Sequence, residues 1–374
     1  MSPAWGRPED PGRLVSELDC TVPSRADIVF VPSPDTHAKP MKTLALVTGM
    51  ALCMAGQSQA QSASPPASPP AHWGPVSINI EDVPYPHPVH FLERTLQDQV
   101  VRIAYMDVPP VGSPNGQTVV LLHGGSYYGW YWKETIEALS DAGFRVVVKD
   151  RLGWGRSSKP ILQYSMNLHA SNTKALMDHL GIAEAAIVGH SMGGQMGSRF
   201  AYLYPEATTH LVMVNPIGLS DSRPREWSEP NWGQEETDLQ AVYERTLRTE
   251  MRRLVEWRPE SLEHVRIRYG QVLSGEWPRL AYVRSLGGLG RSGDSVVHEW
   301  PLMATKTMII GGEVDQGPGF PERARAAVDA LQNAELVLFP NVGHNPHEEI
   351  PDIFNPELIR FLESDADVPA GEGR

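Results

Sequence analysis

Cysteine is nearly absent from this chain: Cys20 and Cys53 are the only two in 374 residues. A disulfide framework is thereby excluded, and stability has to come from a packed core. No block of lysine and arginine occurs either, and the formal net charge is −13 at pH 7. That balance argues against nucleic acid as a partner, because phosphate binding needs clustered positive charge. Missing too are a metal-ligand motif, a glycine-rich phosphate loop with its lysine, and a dinucleotide fingerprint; Gly124-Gly125 is too short to be one. No metal and no cofactor are expected. What is present is ordinary globular composition, with 41% hydrophobic residues, 33 Gly and 33 Pro, enough apolar mass for a substantial core.

The stretch Met41 to Met54 has a basic start at Lys42 and an apolar run too brief to cross a bilayer, followed by the small-residue flank Ser58-Gln59-Ala60. It reads as a secretory signal over 41–60, cleaved near Ala60, with export to the periplasm or the exterior. Residues 1–40 carry no period of 2 or 3.6 and read as an untranslated or disordered extension, with Met41 as the expected start. Residues 61–75, rich in Ser and Pro, read as an extended linker that buries no core, and 366–374 as a tail. Both cysteines would be lost on cleavage, the mature chain would hold 27 Lys and Arg against 39 Asp and Glu, and no stable membrane anchor would remain.

From about residue 76 short β-rich runs alternate with helical spacing, the pattern of a mostly parallel sheet covered by helices. Val100 to Tyr105 alternates and suits a partly exposed strand. Val119 to Leu122, Val146 to Val148, Ala186 to Val188, Leu211 to Val214, Met308 to Ile310 and Leu336 to Phe339 are continuous apolar runs of the kind buried on both faces. Helical spacing occupies Thr135 to Ala142, Asn167 to Leu180, Gln195 to Tyr204 and Glu322 to Leu331. Residues 221–300 break the alternation: charged, with helical stretches such as Leu239 to Leu254 and with Trp227, Trp232, Trp257, Trp277 and Trp300, they read as a helical cap inserted into a core of 76–220 and 301–365. Its tryptophans would either line an apolar pocket or pack the cap onto the core.

The chemistry collects where strands end. Gly189-His190-Ser191-Met192-Gly193 joins an apolar strand to a helix, with a serine at the apex of a turn that flanking glycines keep tight. His123-Gly124-Gly125, the loop Asp150 to Ser157, Gly311-Gly312-Glu313-Val314-Asp315 and Gly343-His344-Asn345-Pro346 each follow another strand run, so a parallel sheet would bring all of them to one edge. Ser191 is a candidate nucleophile. A serine hydroxyl is a poor one near neutral pH and needs a base in reach, itself oriented by a third group.

On these motifs the chain resembles the α/β-hydrolase superfamily across roughly residues 85–365. The order Ser191, Asp315, His344 is that family's nucleophile, acid and base order. The resemblance implies an eight-stranded, mostly parallel sheet with a helical cap between strands six and seven. It assigns Ser191 as nucleophile, His344 as general base, Asp315 as the orienting carboxylate, and the backbone N–H groups of Gly125 and Met192 as the oxyanion hole. His347 is the rival base, and Glu313 and Asp221 are the rival acids. His123 and His190 are expected to orient loops, and the Asp150 to Ser157 loop to be structural.

A serine nucleophile points to acyl transfer to water through an acyl-enzyme, with a carboxylic ester or related acyl bond in a small, apolar molecule as the expected substrate. Carbon–carbon hydrolysis, lactone opening, aminopeptidase action and perhydrolysis use the same triad on the same fold, and a ligand-binding protein without turnover is the non-enzymatic alternative.

Overall fold

A computed structural model describes residues 64–221, 238–315 and 319–364. The expected extension, signal and tail, together with Trp227 and Trp232, lie outside the described residues. One sheet of eight strands organises the molecule: β1 (His90–Leu96), β2 (Gln99–Val108), β3 (Thr118–Leu122), β4 (Arg145–Lys149), β5 (Ala185–His190), β6 (Thr208–Val214), β7 (Lys306–Gly312) and β8 (Ala334–Phe339). Their spatial order is β1-β2-β4-β3-β5-β6-β7-β8. β1 and β2 pair antiparallel, as do β2 and β4; the remaining neighbours are parallel.

The apolar strands divide their side chains between two layers, as a pleat of period two requires. Val119, Leu121, Val146 and Val148 face one layer, closed by α1 (Lys133–Asp141) and the last helix, α9 (Pro351–Glu363), through Ile136, Leu139, Phe354 and Phe361. Val120, Leu122, Val147 and Ile187 face the other, closed by α2 (Met166–His179), α3 (Met192–Leu203) and α7 (Phe320–Ala330) through Met177, Phe200 and Ala324. All seven expected strand runs fall inside these strands. β1 is the eighth, joined to β2 by Gln97-Asp98 with φ of +48° and +59°, the two left-handed residues of a type I′ hairpin.

Between β6 and β7 lie α4 (Leu239–Met251), α5 (Leu262–Leu273) and α6 (Trp277–Gly293). Val242, Tyr243, Val265 and Tyr269 give this insertion a small core of its own. The expected extended linker differs from what is found over its described part. Trp73 stands 5.9 Å and 5.8 Å, centroid to centroid, from Tyr243 and Tyr269. Tyr243 donates to the Pro66 carbonyl at 2.6 Å, and Val76 N–H to the Gly270 carbonyl at 2.9 Å. A proline-rich strap needs few strand partners, since five of its twelve described residues carry no N–H, and one tryptophan suffices to seat it. Among the described residues no helix is long and apolar enough to cross a membrane.

Candidate active site

The parallel strands deliver their carboxyl ends, and the predicted residues, to one edge. Ser191 sits between β5 and α3 with φ +54° and ψ −115°, a conformation that costs a non-glycine residue on the order of 1–3 kcal/mol. Its N–H donates to the Val214 carbonyl at 2.8 Å, and its own carbonyl accepts from Gly194 at 3.0 Å and Ile217 at 3.2 Å. The glycines of the motif serve proximity: a Cβ on Gly189 would stand 2.1 Å from the Gly193 carbonyl oxygen, and one on Gly193 2.1 Å from that of Leu122.

His344 Nδ1 donates to Asp315 Oδ2 at 2.9 Å. A carboxylate only accepts, so in the neutral imidazole Nε2 keeps the lone pair. Asp315 Oδ2 also accepts from Asn215 Nδ2 at 3.0 Å, while Asn215 Oδ1 accepts from Gly312 N–H at 3.0 Å. Asn215 follows β6 directly, at φ +37°; its place after a core strand is the one signal the sequence offers for it. The base loop is pinned on either side of His344, since Glu349 accepts from Gly343 and Asn345 N–H at 3.1 Å and 3.2 Å, and also from the cap residue Val255 at 3.0 Å. His344 N–H itself donates to the Arg253 carbonyl of the cap at 2.6 Å.

The rivals lie elsewhere. His347 is buried against Trp132, with ring centroids 4.3 Å apart, and burial pushes its imidazole down to about 4. Glu313 is exposed, and Asp221 Oδ2 accepts from His298 Nε2 at 3.0 Å. His190 braces the site. Its Nε2 donates to the His344 carbonyl at 2.9 Å, and Nδ1 accepts from the Tyr131 hydroxyl at 2.9 Å, which in turn accepts from Gly124 N–H at 3.0 Å. His123 donates from Nδ1 to the Gly124 carbonyl and accepts at Nε2 from Arg151 N–H; burial, with Arg151 nearby, drops its imidazole to about 3. Both rings are neutral spacers near pH 7, which fits loop orientation.

Ser191, His344, Gly125 and Met192 share a cavity of about 310 Å³. Two of its walls go beyond the expected residues. The Asp150 to Ser157 loop is structural at Asp150, whose carboxylate accepts from Tyr85, Gly129 and Arg156, yet it also sends Arg151 and Trp154 into the cavity. The cap contributes Arg253, Arg284 and Gly287 rather than tryptophans. Trp300 packs into the core with its Nε1 on Ser198 Oγ at 3.0 Å, and Trp277 lies under Arg268. Cap residues reach the cavity only through tertiary packing, so no local sequence signal marks them. Among the described residues no group of three or more His, Cys, Asp or Glu converges as metal ligands.

A strained serine between β5 and α3 of this sheet, with a histidine and carboxylate on later strand ends and helices inserted after β6, defines the class, and the comparison with family models agrees. The model for the alpha/beta hydrolase fold matches residues 117–351, and the chain belongs to that family. A 2-hydroxy-6-oxononadienedioate/2-hydroxy-6-oxononatrienedioate hydrolase from Pseudomonas sp is 29% identical over 259 residues, covering 66% of this chain and 89% of that protein. A haloalkane dehalogenase from Mycolicibacterium paratuberculosis is 34% identical over 140 residues, 37% of this chain and 45% of its own length. Among solved structures, a probable hydrolytic enzyme from Pseudomonas aeruginosa superposes with a TM-score of 0.73 at 33% identity, covering 78% of this chain and 99% of that one.

Proposed function

We propose that this chain is a serine hydrolase that cleaves a carboxylic ester or related acyl bond through an acyl-enzyme. The observation that carries the reading is that Ser191, held at a strained turn, and His344, with Nδ1 tied to Asp315, open onto one cavity. Ser191 Oγ attacks the carbonyl carbon as its proton passes to His344 Nε2, and Asp315 stabilises the imidazolium. The negative oxygen is met by the N–H groups of Gly125 and Met192, the latter at the positive end of α3. His344 then protonates the leaving group, and water repeats the sequence in reverse to free Ser191.

A second reading is favoured by one relative. Its named substrates are 2-hydroxy-6-oxo dienedioates and trienedioates, whose names contain no ester or amide, so hydrolysing them breaks a carbon–carbon bond beside the ketone. The same serine and base serve that reaction. A fluorophosphonate should label the wild type stoichiometrically, and Ser191→Ala should abolish labelling and lower turnover by about 10⁵-fold or more. p-Nitrophenyl esters and a 2-hydroxy-6-oxo dienoate, run side by side, decide between the bonds. Well-folded wild type that neither labels nor turns over either substrate would leave a ligand-binding protein. We also propose export, with cleavage near Ala60; mass spectrometry of the secreted chain should find Gln61 at its start.

A further inference from the structure

The cavity that holds Ser191 and His344 is lined by three arginines, Arg151, Arg253 and Arg284, and by no aspartate or glutamate. The chain as a whole carries a net −13, so a cationic chamber inside it runs against its composition. Burying a guanidinium is costly unless its charge is answered. For Arg253 the answer is Glu250 Oε1 at 2.7 Å, with Tyr127 Oη at 3.0 Å and Ser126 Oγ at 3.1 Å accepting as well. Arg151 lies 3.3 Å from the Trp154 ring centroid and donates to the Gly125 carbonyl at 2.7 Å.

Arg284 is different. It projects from α6 and donates to Gln271 Oε1 at 2.8 Å, an oxygen that also accepts from the Tyr128 hydroxyl at 3.3 Å. Its buried Nε has no hydrogen-bond partner, and among the described residues it forms no ion pair. Stacking does not account for it, because Trp277 lies closer to Arg268, at 4.7 Å against 5.9 Å for Arg284. Arg284 also stands at a junction: a neighbouring cavity of about 280 Å³ shares Gly125, Ser126, Trp154 and Arg284 with the first. Burial pulls its guanidinium below the usual arginine range, with Tyr128 acting in the opposite direction.

We propose that Arg284, in the cavity that Arg151 and Arg253 also line, forms a carboxylate-binding subsite, so that the substrate is an acyl compound bearing a free carboxylate. The assignment rests on the serine-hydrolase reading of this cavity. Trp154, Met192 and Ile217 supply apolar wall to the same cavity, and a guanidinium suits a planar carboxylate as a two-pronged donor. The acidic exterior offers such a molecule no electrostatic steering, so selection falls on contacts made after entry.

The test compares p-nitrophenyl hemiesters of succinate, glutarate and adipate with neutral esters of equal chain length. Wild type should favour one hemiester by about ten- to hundredfold in kcat/KM, the range of a charge-assisted hydrogen bond. Arg284→Gln should collapse that ratio toward one, and Arg284→Lys should restore part of it; circular dichroism and fluorophosphonate labelling show whether each variant is folded. Equal or better use of the neutral esters by wild type that still labels would overturn the subsite and leave the serine-hydrolase reading standing. Should wild type fail to label, calorimetric titration of glutarate into wild type and Arg284→Gln decides the subsite alone: Arg284-dependent binding upholds it, and no binding to wild type sinks it.

Discussion

Single residues after strand ends were the most legible part of the chain. Ser191, Asp315 and His344 stand out because each follows an apolar run within a few residues, and a parallel sheet converts that regularity into proximity. Asn215 obeys the same rule, yet an asparagine after a strand reads as an ordinary turn former, so its work is visible only in three dimensions. It holds Asp315 Oδ2 with one end of its amide and Gly312 N–H with the other, at 3.0 Å each. Asn215→Ala should leave that N–H unsatisfied and place a Cβ-bearing residue without a local hydrogen bond at φ +37°. The expected cost is about 1–3 kcal/mol in unfolding free energy, with kcat lower by roughly tenfold as the imidazole loses its fixed partner. Denaturant melts and steady-state kinetics separate the two. An unaltered kcat at full folding would show that Asp315 needs no such support.

At the level of elements, the sequence leaves the cap's tryptophans open between lining a pocket and packing. Charge and tryptophan content marked the insertion, whereas its contribution to the cavity is Arg253, Arg284 and Gly287, because Trp300 is consumed by core packing and Trp277 by arginine stacking. β1 went unseen because its hairpin turn is Gln97-Asp98, without the glycine that usually announces a type I′ turn. The prolines of the strap suggest an extended linker, yet Trp73 bridges α4 and α5 through Tyr243 and Tyr269. Trp73→Ala should therefore loosen the cap and leave the sheet intact. A part-buried tryptophan lies below the full core range, so about 2 kcal/mol is expected. Hydrogen exchange should quicken in Leu239–Met251 and Leu262–Leu273 while β3 and β5 keep their protection. Uniform acceleration across the chain would mean that cap and sheet open as one unit.

For the whole molecule, the distribution of buried bases sets how stability follows pH. Burial pushes His123 down to about 3 and His347 to about 4, and holds His169 and His190 well below the ordinary value. In the unfolded chain each titrates near 6.5. Below that pH the unfolded state takes up protons that the folded state refuses, so stability falls as pH drops from about 6.5 toward 4, each group contributing up to about 1.4 kcal/mol per pH unit. His264 works the other way: burial pulls it down, but Glu348, with Oε1 3.2 Å from its Nε2, outweighs burial and raises it. Its contribution is fully present below 6.5 and fades as pH climbs through its folded value. On the alkaline side, burial lowers Lys149 and Lys159 to about 7, so between 7 and about 10 the unfolded chain binds more protons and stability rises. His347 isolates one of these contributions, since it makes no hydrogen bond among the described residues and packs as an aromatic ring against Trp132 and Tyr131. His347→Phe keeps that packing and cannot titrate. Urea midpoints measured from pH 7.5 to pH 4.5 should fall less steeply in the variant by one proton's worth of slope, with little change at pH 7.5. An unchanged slope would mean that His347 takes up its proton in the folded state as readily as in the unfolded chain.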